Sequence, residues 1–176
     1  MELNTAVTLI KKVVGTSNAS QVWADLGAGT GLFSIALSTL LPEGSTIYAI
    51  DKDRKAVEGI VIPSQGIELK KIAMDFLNDP LETELLDGIL MANALHFVHD
   101  KLSFFKKVKQ ILKPSAKIVI VEYDREKSNT WVPYPISYLS LERLSHDLGV
   151  ESIDKIGSTP SKYHGANIYS ALLSFK

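Results

Sequence analysis

The alternation of apolar and polar positions predicts helices and strands taking turns along the chain. Within residues 2–14, Leu3, Val7, Ile10 and Val14 recur at three- and four-residue steps, the mark of a short amphipathic helix. A polar connector at 15–20 leads to a first strand at 22–25. The next helix puts Leu32, Ile35, Ala36, Thr39 and Leu40 on one stripe, with Phe33, Leu37 and Leu41 beside it. Such a broad apolar surface is expected to lie buried against a sheet, and Pro42-Glu43-Gly44 ends it. Residues 46–50 read as a second strand, and Asp53 can cap a helix through Ala56, Val57 and Ile60. Strands three and four are expected at 67–73 and 86–92, with a short acidic helix or loop at 79–86 between them.

In the second half, residues 101–112 read as a helix with Leu102, Phe105, Val108 and Leu112 inward. Its Lys106, Lys107 and Lys109 make a solvated face. Lys113-Pro114-Ser115 is a stop, and strand five follows at 117–121, ending in Glu122-Tyr123-Asp124. Residues 124–137 have no periodicity and hold Trp131, Pro133, Tyr134 and Pro135. Structureless connections of that length tend to serve function. Leu141, Leu144 and Leu148 mark a helix closed by Gly149, and 151–156 and 167–175 read as the last two strands. Their connection, 157–165, carries Pro160, Lys162, Tyr163 and His164. No repeat or linker interrupts the pattern, so residues 1–176 read as a single domain, with 1–20 a short N-terminal helix and connector.

Composition narrows the function. Nineteen basic against twenty acidic side chains give a net charge of -1, which argues against a charge-dominated nucleic-acid surface. With no cysteine, disulfides, zinc-thiolate sites and a thiol nucleophile are excluded. No apolar run approaches the ~20 residues of a membrane span, and the N-terminus lacks a signal-peptide pattern, so a cytoplasmic protein is expected.

The chemistry concentrates where strand one ends, at Val22-Trp23-Ala24-Asp25-Leu26-Gly27-Ala28-Gly29-Thr30-Gly31. Glycines there allow backbone conformations closed to other residues and let a ligand approach closely. The spacing is G-x-G-x-G, not the G-x-G-x-x-G of dinucleotide sites, and Asp25 stands two positions before the first glycine. A carboxylate there would repel a diphosphate and suit an ammonium group. About 24 residues beyond Gly27, Asp51 closes strand two, followed by Lys52. One carboxylate can accept from both hydroxyls of a ribose diol. The alternative is that Asp51 and Asp53 are merely two acids in a polar turn.

This combination resembles motif I of the class I S-adenosylmethionine (SAM)-dependent methyltransferases, of the small-molecule type that includes quinone biosynthesis. The resemblance covers nearly all of residues 20–176. It implies a Rossmann-like, doubly wound α/β fold: a mostly parallel seven-stranded sheet, helices on both faces, an antiparallel last strand and an order that reverses at strand one. It implies SAM as cofactor, with Asp25, Gly27, Ala28, Gly29 and Gly31 at the methionine end. Asp51 would hold the ribose, Asp75 and Phe76 the adenine, and the Asn93 backbone the amino-acid portion, with Lys52 also among the cofactor-binding residues. The alternative reading of Asp75 and Phe76 is a turn acid and a core ring. The segment Asn93-Ala94-Leu95-His96 lacks the Asn/Asp-Pro-Pro-Tyr/Phe sequence of many amide- and nucleobase-nitrogen methyltransferases.

For catalysis, His96 is the candidate general base, with His99 and His164 behind it. Its other reading is a polar packing residue. His96, Tyr123, Trp131 and Tyr134 are expected to line a pocket for a small-molecule substrate. Many relatives roof this site with added helices. Only one short helix precedes strand one here, so an open pocket is expected, serving a large substrate or completed by a homodimer mate or another partner. Two further readings stay open: a catalytically silent SAM-binding module, and a nicotinamide-dependent oxidoreductase. The glycine spacing and the missing Tyr-x-x-x-Lys count against the second.

Overall fold

Parallel strands buried on both faces organise the chain. In the computed structural model, which describes residues 1–13, 18–161 and 165–175, the helices are α1 (Leu3–Ile10), α2 (Leu32–Ser38), α3 (Arg54–Glu58), α4 (Lys101–Val108) and α5 (Tyr138–Leu148). The strands are β1 (Val22–Leu26), β2 (Thr46–Asp51), β3 (Glu68–Ala73), β4 (Leu86–Ala92), β5 (Leu112–Tyr123), β6 (Ser152–Pro160) and β7 (Asn167–Ser174). The expected positions Val14, Gly15, Lys162, Tyr163 and His164 lie outside the described residues.

The sheet order is β3-β2-β1-β4-β5-β7-β6, reversing at β1, with β7 antiparallel to both of its neighbours. The fold class read from the sequence is the one observed. Alternate residues of each central strand feed different cores. Ala24 and Leu26 of β1 join Ile118 and Ile120 of β5 in the core under α4 and α5. Trp23 joins Val119 and Val121 in the core under α1 and α2. The indole of Trp23 lies flat on β4: a Cβ on Gly88 would come 2.3 Å from it, so only glycine fits.

Several boundaries differ from expectation. The first helix ends at Ile10, and residues 79–85 contain no helix. Helix α4 stops at Val108, passes through a 3-10 turn at Lys109–Ile111, and Leu112 opens β5. Lys113-Pro114-Ser115 therefore does not precede the strand. It forms an irregularity inside it, where pairing jumps from Leu86–Leu112 to Gly88–Lys117 and Ser115 takes a φ of 63°. Strand β6 runs on to Pro160, because the hairpin register with β7 continues to the Pro160–Asn167 pair.

Candidate functional site

The carboxyl ends of β1, β2 and β4 meet at the point where the strand order reverses, the usual ligand edge of such sheets. The glycine turn after β1 is stitched to β2: Gly27 N and Ala28 N donate to the Ile50 carbonyl at 2.8 and 3.0 Å. Gly29 N donates to Asp51 Oδ2 at 2.8 Å, and Asp53 N donates to Asp51 Oδ1 at 2.9 Å. Asp51 is thus held in place by two backbone amides, and each of its oxygens keeps a lone pair. Gly27 has φ 80°, and a Cβ on it would strike Ala94 Cβ at 2.6 Å. Gly29 differs, since the space where its Cβ would stand has no atom within 4 Å. A ligand can reach the backbone on that side.

A cavity of about 300 Å³ lies here, and Gly27, Gly29, Asp51, Lys52, Asp75, Phe76 and Asn93 all line it, with Leu77, Ala94 and Phe97. Ala28 and Gly31 build the turn behind this lining: Gly31 N donates to the Ala28 carbonyl at 2.8 Å. Asp75 accepts from Leu77 N and from Asn78 Nδ2, so it fixes the bend that presents Phe76. Asn93 adopts φ 52°, and its Oδ1 is buried with no protein partner.

Asp25 sits beneath the turn and lines no described cavity. Its Oδ2 accepts from Ser34 Oγ at 2.6 Å, while Oδ1 is buried without a partner. Burial pushes its carboxyl up to about 7; the Ser34 hydrogen bond opposes this and the Asp51 charge adds to it.

His96 is 3% exposed and lies in neither cavity lining. Its Nδ1 is 2.9 and 3.0 Å from the two oxygens of buried Glu122 at the end of β5, and its backbone N donates to Glu122 Oε1 at 3.1 Å. An ionised carboxylate only accepts, so Nδ1 carries the proton and Nε2 is the nitrogen left for other chemistry. Phe97 packs on the His96 ring at 4.3 Å between centroids.

A larger groove of about 810 Å³ runs between residues 76–81 and α4, sharing Phe76, Leu77 and Phe97 with the smaller cavity. Tyr134 reaches it; Tyr123 and Trp131 line neither space, and Trp131 is 73% exposed. The 124–137 connection is pinned beside the groove. Tyr134 N donates to the His96 carbonyl at 3.0 Å, and Lys101 Nζ donates to the carbonyls of Val98 and Tyr134, both at 2.8 Å. Burial lowers the Lys101 ammonium pKa, opposed by Glu122.

Glu122, Lys101, Leu77, Ala94 and Phe97 were not among the expected site residues. Glu122 carried a signal, an acid closing an apolar strand, the same one that marks Asp25 and Asp51.

Residues 24–120 match the family of methyltransferase domains. The ubiquinone/menaquinone biosynthesis C-methyltransferase of Chromobacterium violaceum is 24% identical over 119 residues, 68% of this chain and 42% of that protein. The chain thus spans less than half the length of this curated relative. Among solved structures, a SAM-dependent methyltransferase from Aquifex aeolicus aligns with TM-score 0.71 at 20% identity, covering 97% of this chain and 89% of that one. A SAM-dependent methyltransferase from Thermotoga maritima, described as a possible histamine N-methyltransferase, aligns at TM-score 0.71 and 18% identity, covering 99% and 89%. At these identities the two structures establish the fold.

Proposed function

This chain belongs to the methyltransferase-domain family, of the class I SAM-dependent type, and from that premise we propose that it transfers a methyl group from SAM to a small-molecule acceptor. The observation that carries the reading is the Gly29–Asp51 hydrogen bond, which brings the glycine turn and the strand-end acid onto one cavity with Phe76 and Asn93. Bound SAM would supply a methyl already activated on a sulfonium, leaving the protein to align the acceptor and exclude water.

The donor set fits that cofactor. Asp51 has free lone pairs for a ribose diol, with Lys52 beside it. Phe76 offers a ring face to adenine, on a bend that Asp75 holds. At the methionine end, Gly27, Ala28, Gly29 and Gly31 shape the turn, Asn93 contributes its backbone and the unpaired Oδ1, and the unpaired oxygen of Asp25 favours a nearby cation.

In this reading Glu122 fixes the tautomer that makes His96 Nε2 the basic nitrogen, and Tyr134 belongs to the acceptor side. The depth of His96 favours acceptors that need little base, a free amine or an activated carbon. Exposed Trp131 and Phe97 support a second chain as roof; a strictly monomeric species in light scattering would remove that part. No described helix is long and apolar enough to cross a membrane, and a cytoplasmic location is part of the proposal.

The test is incubation with methyl-labelled SAM and a desalted cell extract, followed by size separation. Label in the small-molecule fraction supports the reading. Label confined to protein or nucleic acid overturns the acceptor class.

A further inference from the structure

The β3–β4 crossover carries no helix, although parallel strands are usually joined by one. Helix α4 therefore faces the crossover across the open groove of about 810 Å³. Its floor is apolar: Phe104, Val108 and Ile111 follow one another at four- and three-residue steps, with Leu81 on the opposite wall. Its charged lining is two acids against one base, Asp79 and Asp100 against Lys107. Asp79 accepts from Asp75 N at 2.9 Å. Asp100 accepts from Ser103 N at 3.0 Å, a bond that holds its carboxyl below the ordinary range and keeps it charged.

The same face carries a knob. Trp131 stands in solvent on an ordered turn: Trp131 N and Val132 N donate to Asn129 Oδ1 at 2.9 and 2.7 Å, and the Val132 side chain is buried. A preordered indole brings ~150–250 Å² to a partner at little entropic cost. Arg125 and Lys127 precede it, and neither makes an ion pair among the described residues. The neighbouring acids are occupied, Asp124 by Lys155 Nζ and Tyr138 N, Glu126 by the hydroxyls of Ser137 and Ser140. Tyr134, three residues beyond Trp131, lines the groove, so knob and socket lie side by side.

We propose that this surface is the interface of a homodimer in which the Trp131 turn of each copy docks in the groove of the other. Self-complementarity favours a second copy over an unrelated protein. The apolar knob meets an apolar floor, Arg125 and Lys127 approach Asp79 and Asp100, and with both halves on one chain a two-fold axis closes the contact. The docked turn also covers Phe97 and Leu77, the exposed lip shared with the smaller cavity. Calling that cover a roof over the cofactor rests on the methyl-transfer reading; the dimer itself does not.

The test is sedimentation velocity over a range of protein concentrations without SAM, which should show a reversible monomer–dimer equilibrium. Trp23 is fully buried, so the emission change belongs to Trp131, shifting to the blue and losing iodide quenching as dimer forms. Trp131→Ser should weaken the dimer at least tenfold, and so should Arg125→Glu with Lys127→Glu. Lys11→Glu with Lys12→Glu makes the same charge change at exposed positions just past α1 and should leave the dimer within twofold. Lys107→Tyr fills its own chain's socket and should also weaken the dimer. Mixing it with Trp131→Ser leaves one intact knob facing one intact socket, so the mixture should associate more tightly than either variant alone. A monomer at every concentration, a dimer indifferent to Trp131→Ser, a mixture no tighter than its parts, or open-ended polymers would each overturn the proposal. So would a monomer whose Trp131 emission shifts only with anionic lipid vesicles, which would give the knob to a membrane surface. SAM calorimetry on the same samples judges the cofactor reading separately.

Discussion

Asp25 carries a carboxylate in the least favourable place in the site, and that has a measurable consequence. Its carboxyl is pushed from an ordinary 3.8 to about 7 by burial, so between those values the folded chain holds a proton the unfolded chain has lost. Its contribution to stability therefore falls as pH rises through that window, by about 4 kcal/mol in total, and stays low above it. Asp25→Asn should remove this slope. Urea denaturation near pH 5 and near pH 8 should show the variant gaining on the parent at the higher pH; parallel behaviour would refute the assignment. The buried His96–Glu122 pair makes a second prediction. His96→Ala strands the Glu122 carboxylate and should cost about 1–3 kcal/mol in urea denaturation. Glu122→Gln keeps an amide oxygen for Nδ1–H and should cost less, so an equal or larger loss would contradict the pairing. At this scale the meeting of Asp51 with the glycine turn was legible, because both follow apolar runs that read as neighbouring parallel strands. The partnership of Glu122 with His96 was not, since it depends on how the ends of β4 and β5 come into register across 26 residues of chain.

Helices and strands were legible wherever one period dominated. The β2 and β4 ranges and the Asp53 cap on α3 follow directly from the sequence, with Asp53 Oδ1 accepting from Ala56 N at 3.1 Å. The α4–β5 junction was not. Leu112 fits the helical stripe, and Pro114 reads as a stop, but a strand irregularity absorbs both while β5 extends its pairing to Leu86. The 124–137 connection showed no period because single contacts order it, not a repeating apolar face: Asn129 and Val132 exchange backbone hydrogen bonds within it, and other elements hold it from outside. Tyr169 Oη donates to the Ile136 carbonyl at 3.0 Å, and Lys101 holds the Val98 and Tyr134 carbonyls together. Lys101→Met should keep the fold and free this strap. Amide exchange at Tyr134, whose N–H bonds to the His96 carbonyl, should quicken at least tenfold, the loss of about 1.4 kcal/mol of local stability. Unchanged exchange there would show that the strap is held by other contacts.

For the whole molecule, the strand order was readable because the order of elements, a reversal at β1 and a closing hairpin leave few alternatives. The groove was not, since it arises from a helix that the β3–β4 connection lacks, and the acidic stretch at 79–86 suits a helix or a loop equally. At this scale the β1 turn, Asp51, Phe76 and Asn93 are proposed to form a SAM site. Isothermal titration of the protein and its Asp51→Ala variant with SAM, S-adenosylhomocysteine and NADH tests it most directly. Micromolar binding of the first two, none of NADH, and a loss of about 1–3 kcal/mol in the variant are expected. Binding of NADH alone, or SAM affinity unchanged by Asp51→Ala, would contradict it.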